Sequence, residues 1–232
     1  MEKIKFPLEE LKFTFGEILI RIFRPLNRDQ LFDEILSGKS DNDLVRDERI
    51  PYWCDLWPSA LGLAAFLQKN NAMVGGKRVM EIGCGLGLPG ILAGKLGAQV
   101  TLTDYIDDAL LLAGHNWRQN LKSEPHLQTL DWRCPKNVNA AEVLLASDIA
   151  YESRSFAPIV KSLNSLVQAG GIIILSEPNR KFATKFFDAL SDAGFESWHQ
   201  TENIYWEGIN YEIGIHVIRK IIIPETGHSR GE

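Results

Sequence analysis

The stretch MEIGCGLGLPG, residues 80–90, carries the strongest local signal in this chain. An apolar run, VMEI at 79–82, passes into glycines at positions 83, 85, 87 and 90 and then into a segment of helical character. Glycine adopts left-handed backbone conformations without a steric penalty, and its missing side chain lets the backbone approach a ligand closely. A buried strand that runs through such a loop into a helix is typical of the edge where open α/β sheets bind ligands.

Strand and helix patterns alternate outward from this loop. We predict strands at 79–82, 99–104, 127–131, 143–147 and 172–177, and helices near 58–70, 88–96, 105–121, 155–168 and 180–192. This α/β alternation requires crossover connections, which give a mostly parallel sheet with helices on both faces. The last apolar segments, 195–203 and 209–220, are joined too closely for a helix, so they predict an antiparallel C-terminal hairpin.

The residues before position 51 differ from the rest. Residues 11–23 alternate apolar side chains on both sides of Gly16, which predicts a small β-hairpin. Residues 27–36 predict a short helix with Asn27 as its N-cap, and residues 37–49 are typical of an exposed linker. We therefore expect an extension over residues 1–50, one domain over 51–223 and a flexible tail over 224–232.

Composition and charge disfavour several classes of function. A chain of 232 residues with 45% hydrophobic and 24% charged residues is typical of one globular domain, and its net charge of −5 disfavours nucleic-acid binding. Three cysteines without a CxxC pair, and five histidines without ligand spacing, predict neither disulfides nor a metal site. The charged start MEKIKFPLEE and the short apolar runs predict a cytoplasmic protein that does not enter membranes.

Two acidic residues flank the glycine loop. Glu81 stands two residues before Gly83, and Asp104 ends the next predicted strand, where a carboxylate can accept hydrogen bonds from both hydroxyls of a ribose. A strand-end ion pair for Glu81 and a helix N-cap for Asp104 are the alternatives. The third position of a dinucleotide fingerprint is Leu88 instead of glycine, and no P-loop lysine follows. For Cys84, a small side chain in a tight loop explains the residue better than a nucleophile.

At these residues the sequence resembles the class I, seven-β-strand methyltransferases that use S-adenosylmethionine. EIGCGLG is similar to their first motif, which implies that Glu81, Gly83, Cys84 and Gly85 surround the methionine end of the cofactor. Asp104 matches the acid that binds the ribose. The resemblance covers residues 51–223 and implies a Rossmann-like seven-stranded sheet that ends in a reversed hairpin.

A narrower resemblance, to methyltransferase family 16, rests on PYWCDLWPSALGLAAFL at 51–67, LDWR at 130–133 and SDIAYE at 147–152. This family contains protein lysine methyltransferases. The resemblance implies that Trp57 lies against the cofactor, Trp132 borders its adenine and Ser147 contacts it through the backbone. Asp148 and Tyr151 match the D-x-x-Y signature that faces the substrate lysine.

Physical chemistry supports these roles and leaves alternatives open. Tryptophan stacks well on a purine and tolerates a sulfonium charge. Asp131 is a second candidate for the adenine side, or else a plain strand end. For Trp53 and Trp198, a core or surface role is the better interpretation.

The predicted acceptor pair also has an alternative. Asp148 and Tyr151 are expected one helical turn apart, and a helix cap with a half-buried tyrosine is the alternative explanation. Glu152 and Glu177 are near enough in the predicted topology to add negative charge.

The resulting hypothesis is direct methyl transfer from S-adenosylmethionine to a protein lysine. Such a reaction needs alignment of the reacting groups and a neutral amine, whereas a carboxylate favours the ammonium form. Asp148 is therefore expected to recruit and aim the lysine. Open alternatives are a small amine or heteroaromatic nitrogen of the nicotinamide type as acceptor, and a non-catalytic module that binds the cofactor. The missing fingerprint glycine disfavours a nicotinamide-dependent oxidoreductase.

Overall fold

A computed structural model describes residues 4–36, 51–136 and 138–221 of the chain. The strands are β1 Leu8–Phe15, β2 Ile18–Pro25, β3 Arg78–Ile82, β4 Gln99–Asp104, β5 His126–Thr129, β6 Ala141–Ser147, β7 Val167–Glu177, β8 Phe195–Trp206 and β9 Ile209–Lys220. The α-helices are α1 Arg28–Leu36, α2 Pro58–Lys69, α3 Leu88–Lys95, α4 Asp107–Asn120, α5 Phe156–Leu166 and α6 Thr184–Asp192. Short 3-10 turns cover Tyr52–Cys54, Asn71–Met73, Ser153–Ser155 and Lys181–Ala183.

Seven strands form the main sheet in the order β5-β4-β3-β6-β7-β9-β8. The first five are parallel, whereas β9 runs antiparallel to both β7 and β8. Strands β6 and β7 are rich in Val, Ile and Leu because helices cover both faces of the sheet. The predicted fold class is therefore confirmed. Chain order reverses between β3 and β6, and this is the place where open parallel sheets form a ligand crevice beyond their carboxyl ends.

Several predicted boundaries differ from the structure. The helix predicted to reach 168 ends at Leu166, because Val167 already pairs with Ala141 as part of β7. A β-branched residue such as valine packs well in a strand, so Val167 pairs with the neighbouring strand instead of extending the helix. Strand β5 ends at Thr129, two residues earlier than predicted, and α4 begins at Asp107 instead of 105.

The N-terminal hairpin, β1 with β2, forms its own two-stranded sheet but shares the main core. Ile20 and Ile22 of β2 are fully buried in one apolar cluster with Leu63 and Phe66 of α2. A second cluster on the other face of the sheet includes residues of α5 and α6 such as Phe186. The hairpin is thus packed onto the domain that carries the glycine loop.

A buried arginine joins the hairpin to two distant segments. The Arg24 guanidinium donates hydrogen bonds to Glu9 at 2.8 Å, to Asp55 at 2.6 Å and to Glu207 at 2.9 Å. It also lies 5.6 Å from the centre of the Trp206 ring. One side chain therefore ties β2 to β1, to the segment before α2 and to the turn between β8 and β9.

The predicted cap of α1 is not made by a side chain. Asn27 precedes the helix, and its backbone carbonyl accepts the Leu31 N–H at 3.1 Å. Its side-chain oxygen is buried and has no hydrogen-bond partner among the described residues, which corrects the N-cap prediction. The predicted linker at 37–49 and the tail at 224–232 lie outside the described residues.

Candidate cofactor and acceptor site

A cleft with a volume of about 380 Å³ opens at the carboxyl edge of the main sheet, beside the ends of β3, β4 and β6. It is lined by Tyr52, Trp53, Asp55, Leu56, Trp57, Ala60, Gly83, Cys84, Gly85, Leu86, Gly87, Leu88, Asp104, Tyr105, Ile106, Trp132, Ser147, Asp148, Ile149, Tyr151, Glu152 and Arg180. Most of the predicted site residues are brought together here. Glu81 and Asp131 are the two predicted residues outside the lining.

The glycine loop forms one wall of this cleft. Gly83, Gly85 and Gly87 have φ angles of +62°, +49° and +81°, which side chains strongly disfavour. Two backbone hydrogen bonds hold the loop. The Cys84 N–H donates to the Thr103 carbonyl at 2.9 Å, and the Gly87 N–H donates to the Cys84 carbonyl at 2.7 Å. The result is a wall of backbone that a ligand can approach closely.

Asp104 connects β4 to the glycine loop. One carboxylate oxygen accepts the Gly85 N–H at 3.0 Å and the other accepts the Ile106 N–H at 3.1 Å. Burial raises the pKa of Asp104, and these backbone donors oppose the rise. Because α4 begins at Asp107, Asp104 does not take the N-cap position, so the alternative of a simple helix cap is wrong.

Glu81 lies under the loop and not on the cleft wall. Its side chain is fully buried, one oxygen accepts the Gly90 N–H at 2.9 Å, and the other has no hydrogen-bond partner among the described residues. Burial raises the pKa of Glu81 to about 8. Within the described part of the chain no basic side chain pairs with it, which contradicts the ion-pair alternative.

The absence of a side chain at Gly90 lets α3 lie close to β3. A Cβ atom at this position would lie 2.6 Å from the Glu81 oxygen and 2.4 Å from Leu102. Cys84, in the loop itself, is buried, and burial together with the carboxylates of Asp104 and Glu81 raises its pKa well above the usual value. A neutral thiol of this kind fits the small-residue interpretation and not a nucleophile.

Aromatic side chains also line the cleft. Trp132 is 6% exposed and lines the cleft, as does Ser147 at the end of β6. Trp57 is 39% exposed, and its indole N–H donates to the Tyr52 carbonyl at 2.8 Å. The Tyr52 ring lies 6.0 Å from the Trp57 ring and 5.7 Å from the Tyr151 ring, so three aromatic rings border one part of the cleft.

Two other tryptophans test the sequence interpretation. Trp53 packs on Phe6 with ring centres 6.0 Å apart, as expected for a core residue, but it also lines the cleft. Sequence reasoning missed this second role, although Trp53 lies in the segment 51–67 that it singled out. Trp198, on the edge strand β8, is 44% exposed, which agrees with the expected surface role.

Asp131 lies in the turn after β5. Both carboxylate oxygens accept hydrogen bonds from the Arg133 guanidinium, at 2.8–3.1 Å. Burial raises the pKa of Asp131, but the hydrogen bonds from Arg133 outweigh it and keep the pKa below its usual value. The adenine-side role of Asp131 stays a prediction.

Asp148 follows the end of β6 and lines the cleft. It has a φ of +56°, a conformation that aspartate tolerates better than most residues, and its N–H donates to the Ser176 carbonyl at 2.9 Å. The prediction that Tyr151 follows one helical turn later is wrong, because 148–152 is not helical and the next 3-10 turn begins at Ser153. The pair nevertheless lines the same cleft.

Arg180 is a further functional candidate that sequence reasoning missed. Its guanidinium donates to the Asp148 carboxylate, and its backbone N–H donates to Glu177 at 3.0 Å. Burial raises the pKa of Glu177. Glu152 lines the cleft and pairs with Arg154 at 2.5 Å. Its position three residues after the buried strand β7 is the sequence signal that could have placed Arg180 at the edge of the sheet where ligands bind.

The structure also bears on other kinds of site. Within the described residues, no cluster of three or more His, Cys, Asp or Glu side chains is arranged to hold a metal ion. No helix in that same part of the chain has the length and apolarity needed to cross a membrane.

Comparison with known proteins assigns the family. Residues 44–193 match the family described as lysine methyltransferase. The chain is 31% identical over 206 residues to protein-lysine methyltransferase METTL21E of Mus musculus, covering 80% of this chain and 84% of that one. It is 30% identical over 143 residues to histone-arginine methyltransferase METTL23 of Rattus norvegicus, covering 56% of this chain and 64%, less than two thirds, of that one.

Comparison with a solved structure supports the methyltransferase fold. Magnesium protoporphyrin IX methyltransferase (ChlM) from Synechocystis PCC 6803, solved with bound SAM, superposes with a TM-score of 0.57 at 18% identity, covering 84% of this chain and 92% of that one. The family and the fold predicted from the sequence are thus both confirmed. This chain belongs to the lysine methyltransferase family of S-adenosylmethionine-dependent enzymes.

Proposed function

We propose that this protein transfers a methyl group from S-adenosylmethionine to the side-chain amine of a lysine in a protein substrate. One observation carries the proposal: the glycine loop and Asp104 share a single cleft with Asp148 and an aromatic cluster. When bound, the cofactor supplies an electrophilic methyl carbon on a cationic sulfur. The chain itself has to bind the cofactor, aim the amine and keep water away from the reacting atoms.

The cofactor side of the cleft fits this molecule. Gly83 and Gly85 leave the wall free of side chains, and the Asp104 carboxylate lines the cleft, where it can accept hydrogen bonds from ribose hydroxyls. Trp132 and Trp57 offer aromatic faces for the cofactor, and Ser147 adds backbone groups at the end of β6. We assign cofactor binding to these residues and support of the loop to Glu81, through its bond to Gly90.

The outer part of the cleft fits a cationic acceptor. Three carboxylates, those of Asp55, Asp148 and Glu152, line the cleft with the rings of Tyr52 and Tyr151, and each carboxylate also pairs with an arginine. Carboxylates attract an ammonium group, and aromatic faces tolerate its charge. A lysine side chain, with its apolar stem and cationic tip, matches this combination.

The acceptor must lose its proton before transfer. Asp148 favours the ammonium form, whereas the Arg180 guanidinium beside it favours the neutral amine. Asp148 therefore recruits and orients the lysine Nζ, and Arg180 limits how strongly the carboxylate holds the proton there. Tyr151 borders the path with its ring.

The cellular setting belongs to the same proposal. Cys54, Cys84 and Cys134 are all free thiols, as is usual in a reducing compartment, and we place the enzyme in the cytoplasm. The net charge of −5 favours a protein acceptor over a nucleic acid.

Labelled methyl transfer tests the proposal. The purified protein is incubated with methyl-labelled S-adenosylmethionine and a cell lysate, and calorimetry measures its binding of S-adenosylhomocysteine. We expect binding and a discrete labelled protein that mass spectrometry shows to carry methyllysine. Methylarginine would overturn the lysine assignment, and label confined to small molecules would overturn the protein acceptor. Absence of cofactor binding would overturn the enzymatic assignment as a whole.

A further inference from the structure

The outer edge of the N-terminal hairpin is covered by two asparagine side chains. Strand β2 pairs with β1 on one edge, and its other edge faces α4. The Asn116 carboxamide accepts the Phe23 N–H at 2.8 Å and donates to the Phe23 carbonyl at 3.0 Å. The Asn120 carboxamide accepts the Arg21 N–H at 2.9 Å and donates to the Arg21 carbonyl at 2.6 Å. The two side chains thus take the place of a neighbouring strand.

Helix geometry explains why this works. A carboxamide has one acceptor oxygen and two donor hydrogens, so it can bind both the N–H and the carbonyl of one residue. Four residues along a helix rise about 6 Å. Two residues along a strand rise about 6.6 Å. Asn116 and Asn120 are therefore spaced to meet Arg21 and Phe23 in register.

The second donor hydrogen distinguishes the two asparagines. In Asn116 the same nitrogen also donates to the Leu86 carbonyl at 3.0 Å, and Leu86 is the glycine-loop residue between Gly85 and Gly87. In Asn120 the corresponding bond goes to the Asn116 carbonyl at 2.8 Å. Asn116 is fully buried, so the hydrogen bonds that it loses on substitution are not replaced by bulk water.

The loop depends on this contact for its shape. Leu86 is buried and lines the cleft, and the glycines on both sides of it adopt left-handed conformations with little intrinsic preference for one backbone arrangement. The Asn116 bond selects the arrangement in which the Leu86 carbonyl points away towards α4. A buried carbonyl left without a donor favours other arrangements of the loop.

We propose that Asn116 is a positioning residue that links the docked N-terminal hairpin to the cofactor loop, so that the hairpin raises cofactor affinity although none of the described residues of β1 and β2 lines the cleft. This inference rests on the proposed cofactor site. The apparent dissociation constant rises as the fraction of molecules with a correctly shaped loop falls. Loss of the Asn116 bond acts on the loop directly, whereas weaker hairpin docking acts on the loop only through Asn116 and has a smaller effect on cofactor binding.

Paired substitutions separate positioning from general stability. Asn116→Ala and Asn120→Ala each remove a carboxamide from the edge of β2, but Asn116→Ala alone removes the bond to Leu86. We expect both variants to melt at a lower temperature than the wild type. In calorimetry with S-adenosylhomocysteine, we expect the dissociation constant to rise about tenfold for Asn116→Ala and less than about twofold for Asn120→Ala. An equal change in the two variants, or none in either, would overturn the inference.

Amide exchange in the wild-type protein gives a test that needs no variant. Linkage is reciprocal, so if hairpin docking favours cofactor binding, the cofactor must favour docking. We expect S-adenosylhomocysteine to slow exchange of the Arg21 and Phe23 amides more than that of amides in β8 and β9. Equal slowing of both hairpins would contradict the link. A wild-type protein that binds no cofactor would instead refute the proposed function, and this inference with it.

Discussion

Asp148 and Arg180 form an ion pair inside the cleft, with side chains that are 10% and 27% exposed. Asp148 follows β6 and Arg180 follows β7, so two neighbouring parallel strands deliver the two charges to one place. A lysine that approaches Asp148 therefore meets a carboxylate that already has a cationic partner. The acceptor must share this carboxylate with Arg180 or displace the guanidinium from it.

Replacing Arg180 by glutamine is expected to separate binding from turnover. A freed Asp148 carboxylate binds an ammonium more strongly but also holds its proton more strongly. We expect the KM for the acceptor protein to fall about threefold and kcat to fall about tenfold. Steady-state methyl transfer at saturating cofactor measures both. Lys181→Gln, at an exposed neighbouring position outside the cleft lining, controls for the lost charge. Unchanged constants in Arg180→Gln would show that the pair does not meet the acceptor.

Asp104→Ala is expected to weaken cofactor binding strongly. The substitution removes the carboxylate that accepts a hydrogen bond from the Gly85 N–H and that is proposed to bind the ribose. The loop and the ligand therefore each lose a hydrogen-bond acceptor. Loss of hydrogen bonds to a charged group predicts an affinity about 100-fold lower in calorimetry with S-adenosylhomocysteine. Asp108→Ala, on the exposed first turn of α4, is the matched control. Equal affinities in the two variants would count against the assigned site.

Trp132→Leu is expected to reduce cofactor affinity about tenfold, since stacking of an aromatic ring on a base contributes roughly 1–3 kcal/mol. Leucine keeps an apolar side chain but removes the flat face. The control is Trp198→Leu, because Trp198 is 44% exposed on the edge strand β8. Titration with S-adenosylhomocysteine compares the affinities of the two variants. A larger loss of affinity in Trp198→Leu would refute the proposed contact between Trp132 and the adenine.

Glu81 is expected to make stability depend on pH. Its pKa of about 8 in the folded protein exceeds the ordinary value of 4.5, because burial disfavours the charged form. Between these values the folded state holds a proton that the unfolded state has released, so this contribution is complete below pH 4.5 and is lost as the pH rises through about 8.

Glu81→Gln removes that titration. We expect the melting temperature of the variant, relative to the wild type, to increase steadily between about pH 5 and about pH 9. Asp104, whose pKa burial also raises, is present in both proteins and largely cancels in the difference. Thermal melts across this range provide the measurement. A constant difference between the two proteins would mean that Glu81 does not titrate there.

Local sequence patterns were sufficient to predict the secondary structure and the sheet of this protein. The alternation of apolar runs and helical segments depends on nearest neighbours in the chain, so it predicted the seven-stranded sheet and its reversed hairpin. The glycine loop and Asp104 could be found in the same way, because each stands at the end of a predicted strand. The errors fell where tertiary pairing competes with local preference, as at Val167.

Long-range contacts decided the rest. The Asp148 pair with Arg180 spans 32 positions, and the Asn116 bond to Leu86 spans 30. Neither produces a local pattern in the sequence, because each depends on where two separate strand ends or helix faces meet.

The amino-acid sequence by itself determined the fold class, the family and the position of the cofactor loop, since these follow from periodicity and from short motifs. Only the tertiary structure decided that Glu81 is buried beneath the loop and that the N-terminal hairpin is tied to the glycine loop. The physical reason is that the direction of a side chain and its partners depend on packing between distant segments, whereas secondary structure depends largely on adjacent residues.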